Sequence, residues 1–158
     1  MSETYIEILI QSLNKKEQVL KEIIRLDEVQ KKQLEDELCP VDEFDETVEA
    51  KSKCIEQLEL LDSGFQKIYD RVSEELKGNK DAHADEIRKM KEMIHHLTDL
   101  SVEIQAQEAR NKELMTKKFV DVKKKTKGLR TSGKVANEYY KNMMKINNVD
   151  PQFMDNKN

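Results

Sequence analysis

Tryptophan is absent from this 158-residue chain, and glycine, proline and cysteine occur only four, two and two times. Each scarcity excludes something. Two cysteines, Cys39 and Cys54, are too few for a secreted disulfide scaffold and wrongly spaced for a zinc site, so they read as free thiols. So few glycines and prolines, with no tryptophan, fit long helices and make a large globular core an unexpected outcome. No stretch approaches the ~18 apolar residues of a membrane span, and the opening "MSETYIEILIQSLNKKEQ" lacks the basic start and apolar run of a signal peptide. Together these point to a cytoplasmic protein. Chemistry is equally thinly represented. His83, His95 and His96 include no pair at the i, i+4 spacing of a helical metal site, and there is no glycine-rich phosphate loop or nucleophile elbow. The expectation is no metal, no cofactor and no enzyme.

Charge is what the sequence has in abundance: 38% of residues are charged against 37% hydrophobic, the profile of long helices with broad solvated faces. Two interruptions divide the chain. In "LCPVD", Pro40 disfavours helix at Cys39 and can open a new helix at or just after its own position. In "KGNKDAHADE", Gly78 and Asn79 read as a stop and Asp81 as the next N-cap. Helices are therefore expected near residues 3–38, 41–77 and 81–127. The second has the clearest seam: Phe44, Val48, Lys51, Ile55, Leu58, Asp62, Phe65, Tyr69, Val72 and Leu76 alternate spacings of three and four. Gly64 lies inside that seam and is expected to be tolerated. The first helix repeats Ile6, Leu13, Leu20, Asp27 and Leu34 at sevens, and the third has a seam that turns polar around Ser101, Glu108 and Asn111. Stripes this narrow joined by short connections predict an all-α fold, three long antiparallel helices in a coiled-coil-like bundle over residues 1–127, followed by a C-terminal segment 128–158.

Folding the helices back about Pro40 and Asn79 brings the polar exceptions to one level. Asp27, Lys51 and Glu108, with Asn111, are expected to form a buried polar layer that fixes register at some cost in stability. The third helix has no stop before Gly128, so its end should project roughly 15 Å past the bundle at 1.5 Å per residue. Phe119, Val122 and Leu129 would then lack an intramolecular partner, and such a surface invites docking. Net charge is −4, unevenly spread: "VDEFDETVE" carries no base, whereas "KKFVDVKKKTKGLRTSGK" is lysine-rich. The basic stretch has the electrostatic footprint of a nucleic-acid binder. Against that reading stand the acidic remainder, the scarcity of arginine and the lack of a recognised module. A structural coiled-coil protein that self-associates, as a homodimer for instance, is the other alternative.

The arrangement resembles the FlgN-like flagellar export chaperones, with FliT-like chaperones as near neighbours. The resemblance runs from residue 3 to about 144. It consists of a heptad helix ("TYIEILIQSLNKKEQVLKEII"), a second helix after a short break ("DETVEAKSKCIEQLELLDSGF"), and a long third helix with a polar midsection ("SVEIQAQEARNKELM") leading to a tyrosine-bearing tail. It implies a chaperone that keeps hook-associated (hook-filament junction) subunits soluble and delivers them to the flagellar type III export gate. By position, it implies client contact at Leu114, Met115, Phe119, Val122 and Leu129, and docking at the export gate through Tyr139 or Tyr140.

Overall fold

A computed structural model of the protein describes the backbone of residues 2–123. It contains three helices: α1 (Ser2–Glu35), α2 (Val41–Gly78) and α3 (Ala84–Lys123). Among the described residues there is no strand. The expected boundary between residues 127 and 128, and everything after Lys123, lies outside the described residues.

Local chemistry sets the breaks. Pro40 takes extended backbone angles (φ −62°, ψ 143°) as the N-cap of α2, and its carbonyl accepts the first bond of that helix from the Phe44 amide. Helix α1 stops three residues short of the expected Leu38. There the Asp36 carboxylate accepts a hydrogen bond from the Leu38 amide at 2.9 Å, and the Asp36 carbonyl accepts one from Cys39, a local turn that competes with another helical turn. At the far end Asn79 caps α2 by donating its amide to the Glu75 carbonyl. Asp81 is not the cap of α3. The chain makes a further turn over 79–83, and the His83 carbonyl accepts the first bond of α3 from Ile87. Helix α2 continues through Gly64, where an added Cβ would meet only open space.

Helix α1 packs closely along both α2 and α3, which approach one another less closely. Antiparallel connections make α1 and α3 parallel, with α2 running the other way. Heptad spacing lets one stripe per helix face the common axis. Leu9, Leu20 and Ile23 from α1, Val48, Leu58, Phe65 and Val72 from α2, and Met90, Ile94 and Ile104 from α3 are buried there. The α1 seam is two interleaved series at sevens. One is that of Leu13, Leu20 and Asp27; the other is Leu9, Lys16, Ile23 and Gln30, all four of them buried.

The fold also determines which helix outruns the others. Helix α3 is the longest, 40 residues against 34 and 38. The Lys118 ammonium donates to the carbonyls of Gln33 (3.0 Å) and Asp36 (2.9 Å), so Lys118 marks the level at which α1 ends. Five more helical residues follow to Lys123, about 7.5 Å of rise. The rest of the expected overhang falls outside the described residues.

Candidate functional site

Two regions answer to the sequence-based candidates: the polar layer inside the bundle and the end of α3. In the layer, each helix presents a charged side chain to the axis at the same height. Lys51 of α2 is fully buried, with its Nζ 2.7 Å from Asp27 Oδ1 of α1 and 2.5 Å from Glu108 Oε1 of α3. It also donates to Gln30 Oε1 at 2.8 Å. The three oxygens around this ammonium come from the two helices on either side of it. Asn111 completes the layer by donating to the Asp27 backbone carbonyl (3.0 Å) and to Gln30 Oε1 (3.1 Å), while its own carbonyl accepts from Gln107. The four expected members therefore meet, and Gln30 joins them.

Two carboxyl groups and one ammonium inside an apolar bundle do not balance. Burial pushes the Asp27 carboxyl up to about 9; the neighbouring Glu108 carboxyl adds to the rise, and the Lys51 charge opposes it.

A second buried pair lies toward the other end. Lys16 of α1 donates to Asp62 Oδ1 of α2 at 2.8 Å. Beside it Ser12, Leu13, Lys16, Asp62, Phe65, Ile94 and Leu97 line a cavity of about 10 Å³, too small for a substrate. Sequence reading marked Asp62 as a seam exception but missed Lys16 and Gln30. The available signal was their seven-residue spacing from Leu9 and Ile23.

At the end of α3 the candidates divide. Met115 is buried in the core and Leu114 is half-buried against it. Phe119 and Val122 lie on the helical backbone of α3, with their side chains outside the description. Leu129, Tyr139 and Tyr140 fall beyond the described residues altogether. Val120, on the emerging turn, is 49% exposed. The heptad series of Asn111, Met115 and Lys118 places Val122 as its next position, one step past the level where α1 ends.

Among the described residues no cluster of histidine, cysteine and carboxylate side chains could hold a metal ion, and no helix is long and apolar enough to cross a membrane. Cys39 and Cys54 are free thiols. The geometry defines an all-helical bundle: its interior is filled by its own side chains, and its longest helix outruns the helix it packs on. Within that class the sequence places it more narrowly, because residues 1–144 match the FlgN protein family, and the chain belongs to that family of flagellar export chaperones. No curated protein and no solved structure matches the chain.

Proposed function

We propose that the protein captures hook-associated flagellar subunits in the cytoplasm through the end of α3 and the segment that follows, and delivers them to the export gate. The observation that carries this reading is the seam of α3 running past its partner. Met90, Ile94, Leu97, Ile104 and Met115 of α3 are buried in the core, and Lys118 reaches the last carbonyls of α1, five helical residues before α3 ends. An amphipathic helix from a client could continue the packing that α1 discontinues. On this reading Phe119, Val122 and Leu129 form the capture surface, with Leu114 at its inner edge. Met115 contributes only if α3 shifts on the bundle, because it is already in the core. Tyr139 and Tyr140 serve the gate.

Calorimetric titration with hook-associated subunits tests the assignment. A chain ending at Thr116 keeps nearly all of the buried seam and is expected to stay helical yet lose client binding. Undiminished affinity would place the client elsewhere. Phe119→Ala with Val122→Ala in the full chain is expected to weaken capture, each buried side chain contributing about 1.5 to 3 kcal/mol. Tyr139→Ala with Tyr140→Ala should leave capture intact and reduce export.

A further inference from the structure

The polar layer does more than align helices. Its charged members are Asp27 from α1, Lys51 from α2 and Glu108 from α3; the other polar groups at this level, Gln30 and Asn111, are neutral. Asp27 and Lys51 have no solvent exposure and Glu108 has 4%. Both carboxyl groups approach the same Nζ, which makes them close neighbours beside a single cation. Two carboxylates so placed offer each other only acceptors, so they repel unless one of them holds a proton. The excess negative charge that two ionised acids would leave beside one lysine has no solvent to disperse it.

We propose that the Asp27–Glu108 pair is a proton-binding site: it carries one proton at neutral pH, and loss of that proton loosens α3 from α1 at this level. This inference is independent of where the client binds. In the layer α3 is tied to α1 by buried directional bonds, through Asn111 to the Asp27 carbonyl and through the shared Lys51. Deprotonation puts a second full negative charge into the layer, which repels across that junction and draws in water. The direction with pH follows from linkage. Asp27 has a folded-state value near 9, far above its ordinary value of 3.8. The folded chain therefore binds more protons than the unfolded chain between those values, and stability from this site is complete at acid pH and lost as pH rises toward and through about 9.

The test uses the full chain. Carbon-13 NMR of the side-chain carboxyls, assigned with Asp27→Asn and Glu108→Gln, should find one of the two protonated at pH 7 and ionising only on alkaline titration. Both carboxyls ionised at pH 7 would overturn the proposal, and that measurement is made on the unmutated protein, so it does not depend on either variant folding. Asp27→Asn imitates the protonated acid. Its melting temperature should gain on that of the parent as pH is raised from 7 to 10, and parallel profiles would count against the site. Amide exchange of residues 105–111, corrected for its intrinsic pH dependence, should accelerate over the same range in the parent but not in Asp27→Asn. Equal acceleration in both would sink the loosening of α3.

Discussion

The half of the bundle near the turn at 79–83 and the half near the turn at 36–40 are built from the same heptads and held in different ways. In the first, Ile6, Leu9 and Leu13 meet Phe65, Val72 and Leu76 and Met90, Ile94 and Leu97, and a buried Lys16–Asp62 ion pair is set into this apolar stack. In the second, Asp27, Gln30, Lys51, Glu108 and Asn111 interrupt the stack, and Lys118 ties its end. Apolar contact is strong but nondirectional, and a helix can slide one heptad and still bury leucine against leucine. Charged layers are weaker and specific. Lys16 and Asp27 are separated on α1 by the same number of residues as Lys51 and Asp62 on α2, so both layers require one antiparallel register. Only the second layer includes α3. Apolar packing thus runs the length of the bundle, whereas the buried charged alignment of the third helix sits at one end, the end from which α3 emerges.

The largest expected effect is a direct break of the three-helix layer. Lys51→Met leaves two buried acids without a cation and should destabilise by about 3 to 5 kcal/mol at pH 7, and Lys51→Glu by more, because a third acid replaces the cation. Replacing Asp27, Lys51 and Glu108 together by Leu, Met and Leu removes every charge. That triple variant should be neutral or more stable by about 1 to 4 kcal/mol, while its register specificity falls. Urea unfolding measures the energies and spin-label distances across α1 and α3 measure the register. A triple variant as unstable as Lys51→Met would mean that the layer's charges themselves supply cohesion.

The corresponding break in the other half should be milder. Lys16→Met removes a charged hydrogen bond at a site where the Asp62 side chain is 12% exposed and can turn toward water, so about 1 to 2 kcal/mol is expected in urea unfolding. A loss equal to that of Lys51→Met would erase the distinction between the halves.

Much of this was legible beforehand because heptads encode position as well as composition. Asp27, Lys51 and Glu108 stood out as charged residues on otherwise apolar seams, and counting back from Pro40 and Asn79 was enough to bring them level. Lys16 and Gln30 escape any reading of α1 as the single series Ile6, Leu13, Leu20, Asp27 and Leu34. A helix touching two neighbours has two buried series, and the second was visible only through Leu9 and Ile23. The ends of α1 and α3 moved because short side-chain and turn hydrogen bonds at Asp36 and Asn79 compete with one more helical turn, a balance that periodicity does not record. Lys118 belongs in sequence to a lysine-rich stretch; its bonds to backbone carbonyls depend on where α1 stops, and so cannot be inferred from its own surroundings in sequence.

Gly64 offers a way to sharpen the comparison by strengthening one half. It lies in mid-helix, two residues from Asp62, with open space where a Cβ would go. Gly64→Ala should stabilise by about 0.5 to 1 kcal/mol through lower backbone entropy in the unfolded chain. The gain should appear in the urea midpoint without altering the pH profile attributed to Asp27.

The smallest effect belongs to Lys118, and it tests whether the end of α3 is held separately from the rest. Lys118→Ala removes a cation from the C-terminal carbonyls of α1, where favourable charge contributes about 0.3 to 1 kcal/mol. Water can replace the lost donor at Asp36, which is exposed, so global stability should barely move. Local opening should be more sensitive. Because the two bonds join the last turn of α1 to α3 across the bundle, amide exchange should quicken at residues 33–36 and 115–123 and stay unchanged around Met90 and Ile94. Client affinity then reports on what the tie does. If the tie holds Met115 and Leu114 against the core, Lys118→Ala should bind client more tightly by releasing them; unchanged affinity would confine capture to positions beyond Lys118.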